Sequence, residues 1–354
     1  MSVKRHSCRN ANLWLDALRG ASGAIQRNDN SNGHKTSVTP ILPFKSGDKF
    51  LDITINVFAN EMNLVGREKV IIFGGSCVEG QYKKHISDID VLVILIGQES
   101  KIPYIDGGGL KILTEAVKRS VQRLEQEGIY VVAVPPYTPT GHIMIDAAKG
   151  KIANEKGLNF NEIYTMQLQP RLYTHPDEAI MAESISDMLE NFFRKGRLLS
   201  DGTLADCIEY VSSHASSNEK DPLAESLLNQ RRKLISGFVT YATNIHLSEE
   251  TLFKAALEIS KEVSIALAKE QLKMHDNAPH GWSFSTFYKE RKSFPPNVAK
   301  HAELIEEQRR LINDNERPTI TTEELYAKTV DIFNYFVSEW YGSLKHQLIV
   351  EKRE

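Results

Sequence analysis

Two apolar runs, KVIIF at 69–73 and DVLVIL at 90–95, constrain this chain more than any other feature. Both are β-branched and of strand length, and neither alternates with polar residues, so each strand must be covered on both faces. Between them lie Gly74, Gly75 and Ser76, a polar stretch, and then Asp88 and Asp90 at the head of the second run. A strand that is buried on both sides has no packing use for two carboxylates. Residues two apart in a strand point the same way, so these side chains project together, about 6.5–7 Å apart along the backbone.

Around this pair the periodicity changes twice. From Asp48 to Leu64 the residues Phe50, Leu51, Ile55, Phe58, Met62 and Leu64 follow helical spacing. The segment GLKILTEAVKRSVQRLEQEG at 109–128 predicts a helix ending at a glycine, and IYVVAVPP at 129–136 and HIMIDAA at 142–148 predict two more strands across the turn PYTPTG. Residues 11–27 predict a short helix, and RNDNSNGHKTSVTP at 27–40 a polar connection. Beyond about residue 178 the strand signal fades. Segments 177–196, 222–243, 248–274, 297–313 and 321–348 are amphipathic at helical period. The expected fold class is α+β: an N-terminal helix and connection (1–45), a small mixed sheet flanked by helices (46–178) and an α-helical domain (179–354).

Composition narrows the partners. With 43 Lys and Arg against 46 Asp and Glu, the formal charge is −3, which argues against coating nucleic acid through electrostatics alone and leaves room only for a local basic groove. No run has the length or apolarity of a membrane span, and MSVKRHSCRN has no apolar core behind its basic residues, so the expected setting is cytoplasmic, without a membrane partner. Cys8, Cys77 and Cys207 lie too far apart for a disulfide framework or a zinc spacing.

Two carboxylates this close repel unless a cation lies between them. A pair of Mg²⁺ ions about 3.5–4 Å apart is what such a cluster can hold, and that arrangement positions attacking and leaving oxygens in phosphoryl chemistry. A third acid normally completes such a site. In the strand predicted at 142–148, Asp146 shares a face with His142 and Met144. Gly74, Gly75 and Ser76 follow a strand and are expected to open a helix, presenting backbone N–H groups to an anion with no Cβ in the way. A P-loop is excluded: Gly75 and Gly80 have its spacing, but Gln81 and Tyr82 stand where Lys and Ser or Thr are required.

Gly-Gly-Ser, eleven residues between Ser76 and Asp88, an Asp-Ile-Asp running into an apolar strand, and a later isolated Asp together resemble the nucleotidyltransferase superfamily of DNA polymerase β, over residues 46–150. The resemblance implies that Asp88, Asp90 and Asp146 bind two divalent metals, Mg²⁺ or Mn²⁺, and that Gly74, Gly75 and Ser76 hold the triphosphate. It also implies that Asp146 helps activate the attacking hydroxyl. A helical-domain lysine reaches the triphosphate in related two-domain enzymes, which marks Lys233, beside Arg231 and Arg232, as a phosphate ligand.

Each piece has a plainer reading. A lone Gly-Gly-Ser is usually a turn, and a lone Asp-x-Asp a solvated strand end; their joint order carries the signal. Lys83 and Lys84 read as solvated loop lysines, His85 and His142 as packing histidines, and Cys77 as a small residue beneath the loop. DGGGL at 106–110 reads as a helix entry, and HGWSFSTFYKERKSFPP at 280–296 as a loop packed on its own aromatics rather than a base-stacking surface.

A core of this length before a long helical domain resembles the template-independent branch, which includes tRNA and poly(A) tailing enzymes and the cGAS/DncV-like enzymes of bacterial defence. QPRLYTHPDEAI at 169–180 loosely resembles the segment that leads into the helical domain of the latter. The expected activity is Mg²⁺-dependent joining of nucleotides from ATP or other nucleoside triphosphates into a short linear or cyclic oligonucleotide, as an antiviral signal. The alternatives are nucleotidyl transfer to tRNA or RNA ends, and an antitoxin of nucleotidyltransferase type acting on or binding a partner protein. The corresponding partners are nucleoside triphosphates, a short nucleic acid, or an effector or activator protein.

Overall fold

A computed structural model describes residues 43–83, 87–96, 104–132, 141–175, 192, 195–200, 222–245, 247–273 and 283–350. Among them the architecture is mixed: eight α-helices and one five-stranded sheet of order β3-β4-β2-β1-β5. The helix expected at 11–27 and most of that expected at 177–196 lie outside the described residues.

Helix α1 (Lys49–Asn63) begins at Asp48, whose carboxylate accepts from the N–H groups of Phe50 at 2.9 Å and Leu51 at 3.1 Å. This cap satisfies donors that the first turn leaves unpaired, and the stripe Leu51, Ile55, Phe58 and Met62 is then buried. Strand β1 (Lys69–Gly74) is buried throughout and runs antiparallel to β2 (Asp88–Leu95), with Gly74 opposite Asp90. Asp106 caps α2 (Gly107–Gln126) by accepting from Gly108 N–H at 3.0 Å, and Arg67 closes on the same carboxylate at 2.6 Å. Strand β3 (Ile129–Val132) follows.

Two expectations fail in the next stretch. The strand predicted at 142–148 is the first half of helix α3 (Gly141–Lys156). A seven-residue apolar run fits either period, and AAKGKIANEK extends it through Ala, Lys and Glu, which favour helix. Asp146 therefore lies on a helix, where strand alternation does not set it beside Asp88 and Asp90. The missing strand lies further on as β4 (Tyr164–Tyr173), inserted between β2 and β3 and parallel to both. The β3 ladder ends at Gln167, so among the described residues β4 has no neighbour on that side at Pro170. Strand β5 (Arg197–Leu198) pairs with the outer edge of β1.

The helical half holds α4 (Pro222–Thr243), α5 (Glu249–Lys273), α6 (Phe284–Lys289), α7 (Pro296–Asn313) and α8 (Thr322–Val350). Its apolar stripes join the sheet in one hydrophobic core running from Phe73, Val91 and Leu172 through Leu113 and Val117 to Leu234, Phe333 and Trp340. Polar ties cross the same boundary. Asn334 exchanges two hydrogen bonds with the backbone of Ile105, at 2.8 and 2.7 Å, and Lys118 reaches Glu323 at 2.6 Å, whose carboxylate also accepts from the Tyr241 hydroxyl. The aromatic segment packs on itself as expected: Phe287 meets Phe284 and Phe294 edge to face, and Arg291 covers the Tyr288 ring. Among the described residues no helix is long and apolar enough to cross a membrane.

Candidate nucleotide site

The pleat sorts the sheet into two faces. Ile71, Phe73, Ile89, Val91, Val93, Leu168 and Leu172 belong to the main core. The opposite face carries Asp88 and Asp90 on β2 and, in register beside them on β4, Gln167 and Gln169, with Arg171 one step further. Gly74 closes the row on β1. The strand starts half-buried at the two aspartates and becomes fully buried after them, so the carboxylates sit at its accessible end.

The Gly-Gly-Ser segment is tighter than the sequence suggests. Gly75–Cys77 forms a single 3₁₀ turn rather than opening an α-helix, so there is no helix dipole behind it. Gly75 takes φ +68, and a Cβ there would come 3.1 Å from Asp90 Oδ2. Both the left-handed backbone and the close approach disfavour a side chain at this position. The Gly75 carbonyl accepts from the N–H groups of Val78 and Glu79, and Ser76 carbonyl from that of Gln81, which closes the loop on itself. Cys77 is buried beneath it, with its Sγ donating to Gly74 carbonyl at 2.9 Å. Burial, reinforced by the negative charges of Asp90 and Asp88, pushes its thiol up to about 12. Cys77 is thus a neutral packing residue, not a nucleophile.

Asp90 is held from both sides. While Oδ2 faces Gly75, Oδ1 lies 3.5 Å from Arg171 Nη2. The guanidinium rests in turn over the buried Phe192 ring, 5.1 Å from its centroid. None of Gln167, Gln169 and Arg171 was identified by motif, although the polar alternation of YTMQLQPRLY carries their phase. Close to them, Arg231 reaches in from α4: it is buried, donates to Leu172 carbonyl at 2.7 Å and covers the Tyr173 ring at 4.3 Å.

Gly74, Gly75, Ser76, Asp88 and Asp90 are therefore brought to one sheet end. Asp146 lies in α3, and its side chain is outside the described residues. Lys233 points elsewhere: it is exposed and pairs with Glu262 of α5 at 2.9 Å. Lys84 and His85 lie outside the described residues, and Lys83 is exposed. Among the described residues no cluster of three metal-ligating acids, histidines or cysteines occurs. Asp88 and Asp90 suit one hard divalent cation, with the Gln167 and Gln169 amide oxygens as further donors, but Arg171 offsets one of the two carboxylate charges. The described donor set does not fit two such ions.

The chain matches no protein-family model, no curated protein and no solved structure.

Proposed function

We propose that this chain is a nucleotidyltransferase of polymerase β type that takes nucleoside triphosphates and joins nucleotides into a short linear or cyclic product. One observation carries the reading: Gly75, at φ +68, brings a glycine turn against Asp90 at a sheet end where Asp88 shares the same face. A phosphate chain laid on Gly75 and Ser76 meets backbone instead of a side chain, and its charge is then directed at whatever cation the two carboxylates hold. A bound Mg²⁺ supplies neutralisation of phosphate charge. Asp88 and Asp90 would hold the cation, Gly75 and Ser76 would seat the phosphates, and the burial of β2 beyond Asp90 limits water to its open end.

A second reading is nucleotide binding without transfer, as in an antitoxin that acts on a partner protein. Gln167, Gln169 and Arg171 favour it, because they supply neutral and cationic groups on the strand where a further acid would face Asp88 and Asp90. Incubating the full chain with Mg²⁺ and each labelled nucleoside triphosphate, with and without RNA, separates the readings. Product without RNA supports oligonucleotide synthesis; extension only of added RNA replaces it with end transfer. Saturable binding with no turnover in either case supports the non-catalytic reading.

A further inference from the structure

We propose that Arg171, held between Asp90 and the Phe192 ring, takes the place of a second divalent cation, so that this site binds a nucleoside triphosphate with a single Mg²⁺. The proposal rests on the nucleotide reading above and specifies how its charge is balanced. Strand register places Gln167 beside Asp88 and Gln169 beside Asp90, so the neighbouring strand contributes amides rather than a third carboxylate. The one charge that β4 adds is positive, 3.5 Å from Asp90 Oδ1. Among the described residues, two carboxylates and one guanidinium leave a single negative charge, enough to attract one dication and too little to hold two against their mutual repulsion.

The guanidinium is fixed as a structural cation would be. Stacking at 5.1 Å over Phe192 limits its rotation, and β4 is anchored immediately beyond it, where Leu172 carbonyl accepts from Arg231. Its planar fork suits a phosphate oxygen as well as a carboxylate, so a triphosphate seated on Gly75 meets one metal and one guanidinium.

The test is a Mn²⁺ titration of the full chain followed by electron paramagnetic resonance, alone and with a non-hydrolysable ATP analogue. One Mn²⁺ per bound nucleotide is expected. In metal-only titrations, Arg171→Met should tighten Mn²⁺ binding about tenfold, because a repelling charge is removed beside the ligands, while Arg171→Lys keeps the wild-type value. Arg171→Gln reads the same charge loss if the Met variant melts early. Two Mn²⁺ per nucleotide, or a second ion that disappears in Asp146→Asn, overturns the proposal. So does Mn²⁺ affinity unmoved by loss of the charge. If the analogue fails to bind while the metal-only series behaves as expected, the nucleotide reading fails and the charge role of Arg171 stands.

Discussion

Asp90 and Arg171 face one another across β2 and β4 with 3.5 Å between Oδ1 and Nη2, close enough for an ion pair and longer than a charge-assisted hydrogen bond. Both side chains remain about a quarter exposed, at 22% and 25%, so the pair is screened and adds little to stability. Its value lies in orientation. Asp90→Ala, and likewise Asp88→Ala, should abolish turnover while changing stability by no more than about 1 kcal/mol, because each removes a ligand and relieves repulsion. Urea denaturation beside the product assay checks this, and wild-type rates in the Asp90 variant refute the assignment.

Gly75→Ala adds one methyl where the backbone is left-handed and a carboxylate oxygen stands 3.1 Å away. The strain costs about 1–3 kcal/mol, and the displaced turn should lose nucleotide affinity. Gly80→Ala, at φ +72 with nothing within 4 Å of its Cβ, shares the backbone penalty without the carboxylate contact. Comparable binding losses in the two variants would show that proximity to Asp90 is irrelevant.

Arg231 is a buried charge that donates to the Leu172 carbonyl and lies over the Tyr173 ring. Arg231→Ala should lower stability by about 2–4 kcal/mol through lost packing and an orphaned Leu172 carbonyl. Arg231→Lys recovers little of it, since an ammonium lacks the flat stack over Tyr173. Chemical denaturation measures both; full recovery by lysine would leave charge alone as the contribution.

His301, on α7, is buried with Nε2 unbonded, and burial together with the charge of Lys328 pushes its ring down to about 4 from 6.5. The unfolded ring takes its proton near 6.5 while the folded ring stays neutral. Stability from this residue is therefore complete above 6.5 and is lost as pH falls towards 4, by about 3 kcal/mol over the whole window. His301→Leu should flatten the stability profile between pH 6.5 and 5, and an unchanged slope there would exclude the residue as its source.

Much of this fold is legible from period alone. Strands β1 and β2 announce themselves as uninterrupted β-branched runs, and α1, α2, α4, α5, α7 and α8 fall within a few residues of their predicted ends because each carries a long apolar stripe. Strand β4 stays hidden because the residues on its half-buried face are Gln and Arg and its inward row includes Pro170, which counts against a central strand. Helix α3 is misread for the reason that short apolar runs always are: seven residues do not separate period 2 from 3.6. The helical-domain cation is a finer case. Leu227, Arg231, Leu234 and Phe238 fall on one helical stripe and all are buried, so phase already singles out Arg231 from Arg232 and Lys233. What phase withholds is the partner, a backbone carbonyl of a strand some sixty positions earlier, at a separation of 59 residues.

That bond also ties the end of the sheet that carries Asp88 and Asp90 to the seating of the helical half. Leu172, which accepts from Arg231, is the residue directly after Arg171, so the guanidinium beside Asp90 and the middle of α4 are attached to neighbouring peptide units of one strand. A shift of α4 cannot be absorbed between them by a loop. The Arg171 charge beside Asp90 and the position of α4 are therefore set together by one strand.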